Sequence, residues 1–377
     1  MRTQKLAACC TFFSGGTPTK GKEEYWRGGT PWFSPKDIKN FDLTTSQDRI
    51  SVSAIESSAT RLIEPGTILV VGRSGVLAHT LPVGIVRQPS TFNQDIKAIV
   101  PDASYDSEFV ALYLKAKQEL VLKDGVKRGP TVHSLIADFI ENLEIPIIPI
   151  EKQRQIAIRL KAQLAEVDKA RQAAEAQLRE TTKLADAIVF DSIRRSKTTR
   201  HNLGEVLQEV KQGIGESWAE YPVLGATRDG LAPAKEPPGK KPERYKPVFP
   251  GTVFYNPMRI LIGSIALVDD DDIPGITSPD YVALQGKEGV VDSRWFYCWL
   301  RSPLGEQCIL SLARGAVRER MLFNRLADGE IELPDFTIQQ KASSALAALK
   351  PMRQAIESKL NDINLLPRKI LAQAFKM

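Results

Sequence analysis

Cysteine and histidine are scarce in this chain of 377 residues, with four of the first and three of the second. Cys9, Cys10, Cys298 and Cys308 make no Cys-x-x-Cys pair and have no histidine cluster beside them. That pattern argues against structural zinc and fits buried, reduced thiols of a cytosolic protein. His79, His133 and His201 are scattered and read as structural or surface residues. No run approaches the ~18 apolar residues that a membrane-spanning helix requires. Leu6-Ala7-Ala8-Cys9 has the look of a lipoprotein cleavage site, but five residues before it leave no room for an apolar entry stretch. A cytoplasmic chain without a membrane partner is expected.

Catalytic constellations are lacking too. Gly72-Arg73-Ser74-Gly75 is too short for a phosphate-binding loop and has no lysine. Tyr255-Asn256-Pro257-Met258 loosely matches the loop with which amino-methyltransferases grip a flipped base. Met258 replaces the second proline and Arg259 the stacking aromatic, and no glycine-rich methyl-donor loop precedes it. Pro279-Asp280 with Gln285-Gly286-Lys287 is spaced too tightly for a metal-nuclease site. The Asp269–Asp272 run precedes a Pro-Gly turn and reads as a solvated loop, not a cation site. No catalytic residue, metal ligand or bound cofactor is therefore expected.

What the chain does have is the composition of a folded protein, 42% hydrophobic and 25% charged, with a net charge of +6. Its length suggests two or three domains, and its charge mildly favours an acidic partner. The most informative feature is an internal repeat. Arg171-Gln-Ala-Ala-Glu-Ala-Gln-Leu178 returns as Arg353-Gln-Ala-Ile-Glu-Ser-Lys-Leu360. Pro65-Gly66-Thr67 returns as Pro250-Gly251-Thr252, Tyr113-Leu114-Lys115 as Trp299-Leu300-Arg301, and Arg128-Gly129 as Arg314-Gly315. Two copies of one unit follow each other, each a mixed-pattern stretch ending in a long helical one.

In residues 1–150 the runs 67–71, 83–86 and 96–100 read as strands, and Glu108 to Leu122 has helical spacing. Ile145-Pro146-Ile147-Ile148-Pro149 should stop regular structure and open a helix. From Glu151 to about Arg195 there is no glycine or proline. Leu160, Leu164, Val167, Ala174, Leu178, Thr181, Ala185 and Ile188 lie on alternating steps of three and four, with Arg171 as a charged slot. This is a coiled-coil seam, on a helix roughly 65 Å long. Ile356, Leu360, Ile363 and Ile370 continue the stripe in the second copy, where Pro351 and Pro367 should interrupt and bend the helix. A chain that leaves along one helix and returns along the other predicts an antiparallel pair with a globular unit at each end.

Both copies carry basic and aromatic residues on glycine- and proline-rich segments. The candidates for DNA contact are Lys20, Lys22, Trp26, Arg27, Arg73, Lys127 and Arg128 in the first, and Lys211, Arg228, Lys240, Lys241, Arg259, Arg314 and Arg318 in the second. Lysine and arginine neutralise phosphates, and arginine forked onto guanine specifies sequence. Arg128 and Arg314 stand out because each precedes a glycine at equivalent repeat positions. Loops are expected to read DNA, since the strands look committed to cores.

Gly15-Gly16-Thr17-Pro18, Glu24-Tyr25-Trp26, Pro31-Trp32 and Pro35-Lys36-Asp37-Ile38 resemble the opening of a target-recognition domain. The family is the DNA-specificity (S) subunit of type I restriction-modification systems. Arg73-Ser74-Gly75, Asn93-Gln94-Asp95 and Gln153-Arg154-Gln155-Ile156 extend the likeness, as do Pro250-Gly251-Thr252-Val253, Ser278-Pro279-Asp280-Tyr281 and Ala372-Gln373-Ala374-Phe375. Pro334 to Lys341 keeps only part of the second junction, with Ala342 or Ser343 where an aliphatic residue is expected. The resemblance implies an α+β chain with an internal pseudo-two-fold repeat. Target-recognition domains are expected at 1–150 and 201–335, and spacer helices at 151–200 and 336–377. It also implies a non-catalytic reader of a bipartite, asymmetric double-stranded DNA site. Such a reader docks two adenine-methyltransferase subunits, which hold the S-adenosylmethionine, and translocating restriction subunits join the full complex. A stand-alone DNA-modifying enzyme and a coiled-coil scaffold without DNA specificity are the rival readings.

Overall fold

The computed structural model describes residues 2–313 and 320–375. Its contacts divide into two units, Met1–Gln172 with Asn361–Met377 and Ala173–Leu360. The division falls within both long helices, between Gln172 and Ala173 and between Leu360 and Asn361.

The first unit is built on a five-stranded sheet in the order Cys10–Ser14, Ile96–Pro101, Ile68–Val71, Val83–Val86, Asp42–Leu43. All neighbours are antiparallel except the last pair. Ile68–Val71 and Val83–Val86 are buried at every position, which is why they read as unbroken apolar runs instead of alternating ones. The helical stretch expected from Glu108 to Leu122 is two helices, Ser107–Ala116 and Gln118–Asp124, hinged at Lys117. The expected stop at 145–149 is corrected in part. Glu144–Pro146 is a strand paired with Thr3–Lys5, because Pro146 can lie on a strand edge where no amide donor is needed.

The second unit repeats the plan with a four-stranded antiparallel sheet ordered Leu207–Glu209, Val282–Gly286, Thr252–Tyr255, Ile265–Val268. Helix Ser293–Arg301 packs on it, capped by Asp292 as Asp106 caps Ser107–Ala116. Thr198–Asn202 pairs with Glu330–Pro334 as the amino-terminal strand pairs with Glu144–Pro146.

The long helices are Ile150–Arg194, of 45 residues, and Phe336–Ala374, of 39. Phe336 thus opens the second, and Ala342 fills the buried slot where an aliphatic residue was expected. The helix runs unbroken through Pro351 and Pro367, contrary to the expected interruption. Each proline removes one backbone donor, while the neighbouring seam stays covered. Leu160, Val167 and Ile363 are buried, and Leu164, Leu178, Ile188, Ile356, Leu360 and Ile370 half-buried. In the first unit Leu160 and Leu164, near the start of one helix, share a core with Ile370, Leu371 and Ala374 at the end of the other. In the second unit Ile188 and Val189, near the end of the first helix, share a core with Ala342 and Leu346 near the start of the second. The helices therefore run antiparallel. All four cysteines are free, Cys9 buried and the others half-buried.

Candidate nucleic-acid interface

In the first unit three short strands form a separate sheet, Val126–Lys127, His133–Leu135 and Arg73–Ser74. Ser134 is the register partner of Lys127 on one side and of Arg73 on the other. Register partners project from the same face of a sheet. Arg73, Ser134 and Lys127 therefore form one row, with the two cationic strands roughly 10 Å apart. Both cations are exposed, and among the described residues neither side chain has a hydrogen-bond or ion-pair partner. Arg128 follows Lys127 into the hairpin loop, which is closed by the Gly129 amide donating to His133 Nδ1 at 3.3 Å. Two cations expected on loops thus lie in strands. Strands only two residues long show no alternation that the sequence pattern could tell from a loop.

Of the other first-unit candidates, Trp26, Lys22 and Arg27 are engaged locally. Trp26 is half-buried, edge-on to Trp32 with ring centroids 5.0 Å apart, and its Nε1 donates to the Thr19 carbonyl at 3.3 Å. Its ring packs on the satellite core of Tyr25, Trp32, Ile50 and Ala54. Lys22 donates to the Tyr25 hydroxyl at 3.1 Å, Arg27 pairs with Glu23, and Lys20 is exposed.

In the second unit Arg228 occupies the tip of a hairpin whose strands are Leu224–Thr227 and Gly230–Pro233. Arg228 and Asp229 keep negative φ while Gly230 has φ +112°, a conformation that favours glycine. Arg259 stands on the adjoining loop, where its carbonyl accepts from the Ile262 and Ser264 amides, each at 3.1 Å. The two loops meet at Gly263, whose absent Cβ would lie 3.8 Å from Arg228 Cγ. Arg228 and Arg259 are both exposed. Lys240 and Lys241 stand exposed on the following loop, and Lys211 lies 3.6 Å from Glu209. Arg314 and Arg318 fall outside the described residues.

The Asp269–Asp272 run is not simply solvated. Arg294 donates to Asp269 at 2.8 Å, and Lys350, on the second long helix, donates to Asp272 at 2.9 Å and to Asp271. These carboxylates fasten the sheet to the helix. At the corresponding place in the first unit Glu108 binds Arg87 at 2.6 Å and Lys161, on the first long helix, at 2.7 Å. Burial pushes the Glu108 carboxyl up, but the Lys161 ammonium and Arg87 guanidinium outweigh it and hold its pKa below the ordinary value. Sequence reasoning missed this pair of anchors because their partners lie 21 to 79 positions away.

Residues 2–177 match the family described as type I restriction modification DNA specificity domain. Within those residues the chain is similar to the type I specificity family. Among relatives of this specificity family, the Escherichia coli EcoR124I/EcoR124II specificity subunit is 33% identical over 38% of this chain and 36% of its own length. The MjaIX specificity subunit of Methanocaldococcus jannaschii is 30% identical over 38% of this chain and 33% of its own. The chain therefore matches about a third of these relatives' length. Solved structures extend the likeness in fold. A chain from a type I R-M system, solved to explain complex assembly and conformational transition, matches with TM-score 0.66 at 16% identity, over 99% of this chain and 97% of that one. The S subunit from M. genitalium matches with TM-score 0.51 at 16% identity, over 100% and 96%. The S-subunit fold thus includes the second unit, of which the family match takes in only residues 173–177. Among the described residues no helix is long and apolar enough to cross a membrane.

Proposed function

We propose that this chain is the sequence-reading, non-catalytic subunit of a type I modification complex. Residues 1–150 read one half of a bipartite double-stranded DNA site and residues 201–335 read the other. The observation that carries the reading is the duplicated plan in which each unit offers exposed cations on hairpins. Arg73 and Lys127 flank Ser134 in the first unit, and Arg228 tops a turn beside Arg259 in the second. Phosphate contacts from lysine and arginine give most of the affinity, and arginine on base edges gives discrimination at about 1–3 kcal/mol per bidentate pair. The two units differ in their hairpins, so the two half-sites differ in sequence.

The long antiparallel helices set the spacing of the half-sites and dock two adenine-methyltransferase subunits, which carry the S-adenosylmethionine. Translocating restriction subunits complete a cytoplasmic assembly. Comparing adenine methylation across the native host genome with and without this gene tests the reading. Loss of methylation at one split motif is the expected result. An unchanged methylome sinks it, and methylation by the purified chain alone would favour a stand-alone enzyme.

A further inference from the structure

We infer that Arg301 is a positioning residue for sequence reading by the second unit, an inference that rests on the function proposed above. Arg301 ends helix Ser293–Arg301 and its guanidinium reaches three backbone carbonyls. Nη1 donates to Gly263 at 3.2 Å and to Ile265 at 2.9 Å, and Nη2 donates to Arg228 at 2.6 Å. The Arg228 and Gly263 carbonyls belong to the two loops that carry Arg228 and Arg259, and the Ile265 carbonyl opens the strand Ile265–Val268. One side chain therefore ties the hairpin tip to the neighbouring strand and fixes where both exposed guanidiniums stand.

The surroundings fit that role. The Arg301 guanidinium lies 5.6 Å from the Tyr297 ring, one turn back on its own helix, so its plane is braced as well as hydrogen-bonded. The Tyr297 hydroxyl sits 3.2 Å from where a Cβ on Gly230 would project, so the hairpin turn rests on it. Gly263 has φ +82°, a left-handed conformation that favours glycine and presents its carbonyl to Arg301. A lysine cannot replace this fork, because one ammonium point cannot reach carbonyls on two loops in a planar arrangement. The equivalent residue of the first unit shows the contrast. Lys115 makes no such staple, and its ammonium lies 5.5 Å from the Phe41 ring. The device is therefore particular to the second half-site.

The test uses the full chain in its native complex and a duplex carrying the split site mapped by adenine methylation, with each half-site scrambled in turn. Arg301→Lys and Arg301→Met should each lower discrimination at one half-site by about tenfold and leave the other unchanged. The slope of log Kd against log salt should stay as in the wild type, because no phosphate contact is removed. The double variant Arg228→Ala with Arg259→Ala should lose the same discrimination and also lower that slope. If Arg301→Lys keeps full discrimination while the double variant loses it, the positioning role fails and the loop reading stands. If the double variant also leaves both half-sites unchanged, the loop reading itself fails. Should Arg301→Met not fold, Arg301→Lys decides alone.

Discussion

Gln339 Oε1 accepts the backbone amide of Asp292 at 3.0 Å. Its side-chain amide donates to the carbonyls of Pro334 at 2.8 Å and Val290 at 3.0 Å. Gln153 does the same in the first unit, taking the Asp106 amide at 2.9 Å and donating to Ile148 and Ser104, each at 2.9 Å. Both glutamines are almost wholly buried. Each sits in the first turn of a long helix and satisfies two backbone groups at the start of the helix that packs on the sheet and one just ahead of its own helix. The repeat thus preserves a hydrogen-bonded joint between recognition unit and helix.

Removing such a joint leaves backbone groups unpaired in the interior, at about 1–3 kcal/mol for each unsatisfied group. Gln339→Leu should therefore lower the melting temperature of the second unit, and Gln153→Leu that of the first. Differential scanning calorimetry with hydrogen exchange would locate each loss. An unchanged melting profile would show that water or a shifted backbone satisfies these groups.

Arg73 and Lys127, set in a row across Ser134, should each contribute about one phosphate contact, lowering the salt slope of DNA binding by about 0.9 apiece when replaced by alanine. Equilibrium binding from low to moderate salt measures it. A slope equal to that of the wild type in the double variant would remove this row from the interface.

The Glu108 anchor predicts a pH dependence. Its folded pKa lies below the unfolded value, so the stability it supplies is present above about pH 4.5 and is lost as pH falls through the folded pKa. Glu108→Gln should cost about 1 kcal/mol near neutrality. The difference from the wild type should narrow in thermal melts as the pH is lowered below about 4.5. A gap that persists in acid would mean the carboxylate charge is not what matters.

Gly263 offers a backbone test. With φ +82°, Gly263→Ala should destabilise the second unit by about 1–2 kcal/mol. The nearest atom to an added Cβ is 3.8 Å away, so strain and not collision would be the cause. Chemical denaturation reads the change; none at all would place the residue outside the left-handed region in solution.

Much of this architecture was legible in one dimension. The twinned Arg171 and Arg353 segments, the glycine-free stretch and the three-four spacing of Leu160, Leu164 and Val167 are local or periodic signals, and period alone dictates a helical seam. Buried strands such as Ile68–Val71 announce themselves by unbroken apolar runs. The candidate interface was legible only as a set of basic residues. Which of them stand together depends on strand register, and register pairs residues such as Arg73 and Ser134 that lie far apart in the chain. The same holds for the anchors at Glu108 and Asp269, for Arg301, whose three acceptors lie 36 to 73 positions away, and for Trp26, spent on packing against Trp32. The sequence by itself determined the repeat, the helices and the basic character, because each is written in neighbouring residues. Tertiary structure alone decided which cations are free and which are held, because that depends on hydrogen bonds closed only when distant strands meet.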